Sequence, residues 1–155
     1  MSTSEVRHAI ASLPAGASAI TESHAAAAGA ALSLRLGLGY VFLTFGVEKI
    51  VDWHGWSVLF PPALSALVTA WSGLAFGSFL RLLGYVEVVL GLHLVLGLFT
   101  RAAATGCALL LVGAVAMMGR TGIGVRDCGL LAMAVAVVLG GAGAWSCDGR
   151  RRIQS

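Results

Sequence analysis

Apolar residues run through this chain in four long stretches from which charge is nearly absent. Residues 82–99 are apolar apart from Glu87 and His93, and residues 102–119 and 128–147 carry no formal charge. A fourth stretch, residues 25–47, contains one charge, Arg35. A bilayer's hydrocarbon core of about 30 Å takes roughly 20 apolar helical residues to cross, so each stretch predicts a membrane-spanning helix. Thr21 or Ser23 is a candidate N-cap for the first, because either hydroxyl can satisfy free helix N–H groups.

Between the first and second spans lies a different pattern. Residues 53–80 also lack formal charge, but they hold Pro61-Pro62, serines that include Ser65, Ser72 and Ser78, Thr69 and several glycines. Leu64, Leu67, Val68, Trp71 and Ala75 recur at helical spacing and leave Ser65, Thr69 and Ser72 elsewhere, an amphipathic arrangement. Such a helix lies in the membrane interface with Trp53, Trp56 and Trp71 at headgroup depth; the rival is a fifth span over residues 59–79. Arginine and lysine placement favours four. With four spans, Arg7, Arg35, Arg101, Arg150, Arg151 and Arg152 fall towards the N-terminal side, against Lys49, Arg81, Arg120 and Arg126, six to four. Five spans give five to five. Since cytoplasmic loops gather basic residues, the expected topology puts both termini in the cytoplasm of a bacterial inner membrane.

Composition agrees. The 155 residues are 58% hydrophobic and 11% charged, against about 25% charged in soluble domains, and mean hydropathy is +0.91. There is too little charge to cover a water-facing surface. The expected fold is therefore all-α, an integral membrane four-helix bundle with an interfacial helix between the first and second spans. Its parts are an N-terminal tail (1–24), the membrane domain (25–148) and a basic cytoplasmic tail (149–155). The net charge of +3 rests on the arginine cluster at 150–152, which reads as a topology signal. No basic stripe with interleaved aromatics suggests nucleic acid. Cys107, Cys128 and Cys147 form no CxxC pair and have no metal-ligand spacing.

Helix periodicity sorts the polar residues onto faces. Arg35, Gly39, Phe42, Gly46 and Lys49 form one stripe, Gly84, Glu87 and Gly91 a second, and Gly129, Ala132, Ala136, Gly140, Gly143 and Cys147 a third. Small residues in such stripes allow helices to approach closely. Glu87 is the most informative residue, because an intramembrane ionisable group is costly and functional by default. It is either a proton- or ligand-binding carboxylate, for instance at a quinone ring, or a lock paired with Arg35, Lys49 or Arg81. Axial rise alone names no partner. Arg35 and His93 are expected at similar depth, where cation and imidazole together suit a quinone carbonyl; the plainer reading lets Arg35 snorkel and His93 bond a neighbour. His93 is the sole histidine in a confident span, a weak basis for haem. Asp127 is expected as the N-cap of the last span, and Asp148 as a surface charge. Glu48, Lys49 and Asp52, followed by Trp53, His54 and Trp56, are expected to gather as an interfacial anchor.

The segments "RLGLGYVFLTFGVEKI", "PPALSALV", "GYVEVVLGLHLVLGLFTRAAA", "RDCGLL" and "GGAGAWSCD", in that order, resemble the DoxX family, whose relatives include the DoxD-type subunit of thiosulfate:quinone oxidoreductase. Arg35…Gly46-x-x-Lys49, Glu87…Gly91, Gly97 with Arg101, and Gly-x-Gly…Asp148 carry the resemblance, which extends from about Ala31 to Asp148. It implies a four-helix inner-membrane protein linked to quinone, sulfur or thiol redox metabolism and often part of a larger complex. On that basis the chain is expected to be a membrane subunit of a quinone-linked redox system. Arg35, Glu87 and His93 are the quinone or proton-site candidates, and Lys49, Arg81 and Asp127 the structural charges. Quinone is the expected cofactor; no haem, flavin, nicotinamide, iron–sulfur or zinc motif is present, so electrons would come from a partner. The alternative is a non-catalytic accessory subunit of a respiratory or photosynthetic membrane complex, with other membrane-protein subunits as partners besides the lipid bilayer. A transporter is less favoured, since no inverted repeat is visible.

Overall fold

The computed structural model describes Thr3, residues 15–143 and residues 145–148. Helix α1 (Ala15–Val51) is followed by two short helices, α2 (Trp53–Ser57) and α3 (Pro62–Ser72). Three long helices then complete the bundle: α4 (Phe76–Leu96), α5 (Thr100–Met118) and α6 (Gly122–Gly140). No strand occurs among the described residues. Four helices, Glu22–Val51 within α1 and the whole of α4, α5 and α6, are long and apolar enough to cross a membrane.

The bundle is two antiparallel pairs set side by side. α1 packs most extensively on α4 and α5 on α6, with thinner contact between the pairs. The α1–α4 pair is close because glycines face each other. A Cβ on Gly46 would lie 2.7 Å from the Gly84 carbonyl, and one on Gly91 would lie 2.9 Å from the Gly39 carbonyl. Without the hydrophobic effect to drive helices together in lipid, such backbone approach supplies the packing energy. Leu38, Phe42, Leu94, Ala104, Cys107, Ala134 and Val137 fill the centre. Outside, Leu36, Tyr40, Leu82, Val89, Leu109, Val112 and Leu139 stand exposed, an apolar belt far too broad for a water-facing surface.

The segment between α1 and α4 does not span. α3 has eleven residues and none of them is buried, and at 1.5 Å per residue it reaches only about 16 Å. Pro61 and Pro62 start it and Gly73, at φ 69°, stops it. Its faces differ from the expected ones: Leu64 and Val68 turn inward, while Leu67 and Trp71 turn out, Trp71 being 85% exposed. Trp53 packs under α4, its ring occupying the space a Gly77 side chain would need.

Three further expectations are corrected. The Gly129, Ala132, Ala136 and Gly140 stripe faces outward, and α6 buries Gly124, Asp127, Leu130, Ala134 and Val137 instead. Leu130, Ala134 and Val137 on that face join the core shared with α1, α4 and α5, so the small-residue stripe is left outside. α6 also ends at Gly140, so Gly143 lies in the segment that follows and Cys147 beyond it, where the backbone at 147–148 is again helical. At the other end, α1 starts at Ala15, which places Thr21 and Ser23 inside the helix, in an alanine-rich run that favours continuing the turn. The basic segment 149–155 lies outside the described residues.

Candidate functional site

Near the middle of the 21-residue α4, Glu87 meets Lys49. The Lys49 Nζ donates to both carboxylate oxygens, at 2.7 and 2.9 Å, and the two side chains are only 7% and 11% exposed. Gly84 packs on Gly46 and Gly91 on Gly39, so Glu87 lies between those two contacts while Lys49 starts on the far side of the first. Side chains lean towards the N-terminus of their own helix. In an antiparallel pair, Lys49 therefore leans towards Glu87 and Glu87 towards Lys49, and the pair closes across the gap. That lean, invisible to axial rise, selects Lys49 over Arg35 and Arg81.

The pair forms part of the wall of a cavity of about 240 Å³ between the helices. Phe42, Phe45, Phe76, Phe79, Leu83 and Leu130 give it apolar sides, and Trp56, Leu59, Phe60, Leu64 and Val68 from the α2–α3 segment roof it. α6 contributes Arg126 and Asp127 to the same cavity. Arg126 donates through Nε and Nη2 to Asp127 Oδ1, at 3.0 and 2.8 Å, and sits over the Phe45 ring at 4.5 Å. The Lys49 ammonium lies 3.9 Å from the Trp56 ring centroid, a distance at which cation and ring attract. Two ion pairs and two kinds of aromatic ring thus share one enclosure within the bundle.

Asp127 is accordingly not the N-cap of α6. Thr121 takes that place, its hydroxyl accepting from the Gly124 amide at 3.2 Å, and Asp127 is buried further in. Sequence reasoning ranked Asp127 among the structural charges and left Arg126 out of the site. Asp127 stands on the face that the outward small-residue stripe leaves for the interior, and that face was the available signal; Arg126, itself exposed, reaches the cavity from the edge of that face. Arg81 lies over the Trp53 ring at 5.3 Å. Lys49 leaves the expected interfacial anchor for the interior, and Asp52 caps α2 by accepting from the Gly55 amide.

Arg35 and His93 do not line this cavity. Arg35 is 2% exposed and donates to the Ala142 and Trp145 carbonyls at 2.6 and 2.9 Å, fastening the loop after α6 against α1. His93 Nδ1 is 2.8 Å from the Val89 carbonyl one turn back in its own helix. Asp148, expected as a surface charge, instead reaches the α4–α5 turn. Its carboxylate accepts from the Phe99 and Thr100 amides, at 3.1 and 2.8 Å, and from the Thr100 hydroxyl at 3.0 Å. An acidic side chain at a helix N-terminus both caps it and complements its dipole. Here it also holds a turn in which Gly97 and Phe99 have φ of 68° and 46°. Removing the cap by Asp148→Ala is expected to cost about 1 kcal/mol, within the usual range for caps. Hydrogen exchange at the Thr100 amide should then speed up, while the amides of α4 near Glu87 keep their protection.

The motif residues therefore sort into two ends: a structural clasp of Arg35, Gly97, Thr100 and Asp148, and a charged cavity of Lys49, Glu87, Arg126 and Asp127. Among the described residues no three His, Cys, Asp or Glu side chains gather as a metal site. In comparisons with known proteins, the model of the DoxX family matches residues 30–120, more than half of the chain. The fold and site define a multi-pass membrane protein built as a four-helix bundle around an internal ion pair. It belongs to the DoxX family. The match takes in Lys49, Glu87, most of the first span and the whole of the second and third; α6 and the closing segment lie beyond it. No curated protein and no solved structure matches the chain.

Proposed function

We propose that this chain is a quinone-binding membrane subunit of a redox system, and that the cavity around Lys49 and Glu87 is where the quinone ring sits. The observation that carries this reading is the combination inside one membrane-embedded enclosure of flat aromatic and aliphatic walls with buried ionic groups. Ligand pockets are mostly apolar with a few convergent polar groups that fix orientation. A quinone ring asks for that combination: faces to stack on, and donors for its carbonyl oxygens. Lys49 and Arg126 are the donors available, Glu87 and Asp127 the groups able to hold a proton beside them. Arg126, with its side chain 42% exposed, has donor capacity beyond its bonds to Asp127. When bound, a quinone supplies two-electron, two-proton chemistry, and the chain's own part is to bind the ring, orient it and keep water away. Electrons would come from a partner subunit. The setting is the bacterial inner membrane with both termini cytoplasmic, supported by the distribution of basic residues.

Glu87→Gln tests the reading without emptying the cavity, since the amide oxygen can still accept from Lys49. Protein purified in mild detergent from native membranes should carry quinone in its lipid extract, and the variant should bind it about tenfold less tightly while its partners remain. Wild-type protein that holds no quinone and takes up none when offered would overturn the proposal. The second reading, a non-catalytic assembly subunit, draws on the outward stripe of Gly129, Ala132, Ala136 and Gly140, a surface on which another helix can pack closely. It is favoured if the protein co-purifies with partners, without quinone, and loses them on Glu87→Gln.

A further inference from the structure

The cavity does not end at the bundle's surface on every side. Seven of its lining residues come from one stretch of α5, residues 109–111, 113, 114, 117 and 118, which covers more than one side of that helix. Leu109 and Met117 line the cavity and are also 69% and 44% exposed. Residues that belong to both surfaces mark the place where the inside meets the outside. Leu109 is near the middle of the 19-residue α5, so the outside at that level is hydrocarbon. Between Leu109 and Met117 lies Gly113, and a side chain added there would meet nothing within 4 Å. Two turns earlier, a Cβ on Gly106 would already touch Leu90 of α4 at 3.0 Å. α4 and α5 are thus packed together near their connecting turn and parted beside the cavity. Towards the membrane surface the α2–α3 segment closes the space with Trp56, Leu59 and Phe60.

We infer that the cavity is loaded sideways from the bilayer through this gap between α4 and α5, and that its ligand carries an apolar tail lying across Gly113. The inference deepens the quinone reading and rests on it. It names the substrate class as a membrane-dissolved quinone with a long isoprenoid tail, in contrast to a small water-soluble quinone. Gly113 then acts as a specificity-determining position: its missing side chain leaves room for the tail, while the ring is held across the cavity at Lys49 of α1 and Glu87 of α4. A ligand arriving from water meets the aromatic roof; one dissolved in lipid meets an opening walled by leucine and methionine.

The test compares two benzoquinones with the same ring, one without a tail and one with a long isoprenoid tail. Each is titrated into the full chain in lipid nanodiscs, and the part of the tryptophan fluorescence quenching that is lost when Trp56, the one tryptophan lining the cavity, is replaced by Phe reads occupancy. Gly113→Phe is expected to weaken the tailed quinone about tenfold or more and the tail-less one by less than about twofold. Gly113→Leu, smaller and also facing open space, should shift the tailed quinone in the same direction by less, and it carries the test if the phenylalanine variant does not fold. Gly129→Phe, on the outward face of α6 where nothing lies within 4 Å, should change neither. Equal effects on both quinones, or none on either, would overturn the sideways opening and leave the quinone site standing. Wild-type protein that binds neither quinone would overturn the site itself, and the opening with it.

Discussion

Lys49→Met is expected to destabilise the protein by about 3–5 kcal/mol, the range found when one partner of a buried ion pair is removed. Glu87 would then be an acidic side chain in the bundle interior, its former cation replaced by a thioether and its nearest neighbours Gly84, Gly91 and apolar walls. A matched double replacement, Lys49→Met with Glu87→Met, removes both charges together. It should return stability to within about 1 kcal/mol of wild type, because apolar residues of similar volume often replace buried pairs at little cost. Reversible unfolding in mixed micelles checks the cycle. The double variant also separates structure from function: a folded bundle that has lost quinone binding identifies the pair as part of the site, and a folded bundle that still binds quinone assigns the pair to architecture alone.

How far the sequence revealed this arrangement depends on what kind of information each feature needs. Span number was legible because hydrocarbon thickness imposes a length on apolar runs, and an eleven-residue helix between Pro62 and Gly73 falls short of it. The glycine stripes of α1 and α4 were legible as well, since backbone contact at Gly46 and Gly84 demands glycine at helical spacing. The same logic misled on α6, where Gly129, Ala132, Ala136 and Gly140 look like a packing seam but face outward. Small residues permit close approach without requiring it, and only the neighbours decide. Polar partners were the least legible. Glu87 had three candidate cations, and the choice of Lys49 depends on the lean of two side chains in antiparallel helices. Arg35, Glu87 and His93 share depth-related arguments but not a location. Arg35 answers to carbonyls in a loop more than a hundred residues away in sequence, and no periodicity announces such a bond. Asp148 reaches back in the same way to cap α5. Long-range caps and clasps are written in the geometry of loops.

Gly84→Ala is expected to cost about 2–3 kcal/mol although it adds one methyl group and improves helix propensity. The added Cβ would lie 2.6 Å from the Gly46 carbonyl oxygen, with Ile50 Cγ1 at 3.0 Å and Lys49 Cβ at 3.1 Å. The first of these is backbone, so no rotamer change relieves it and α1 must move away from α4. Overpacking costs of about 1–3 kcal/mol are common in well-packed interiors, and the upper end applies where the obstacle is main chain. Separation at this level also stretches the reach of Lys49 to Glu87, since Gly84 sits between their attachment points. Gly113→Ala supplies the contrast on α5: with nothing within 4 Å, it should be neutral or stabilising by up to about 1 kcal/mol, the ordinary gain of alanine over glycine in a helix. Unfolding of the two variants side by side reads the difference. Equal stability for Gly84→Ala and Gly113→Ala would mean that α1 and α4 are not pressed together at Gly46, and with that contact would go the explanation of why Lys49 and Glu87 meet. A large loss at Gly84 alone would place the ion pair and the glycine crossing in one structural unit, built so that two helices stand close enough for charges on either side of the crossing to close over it.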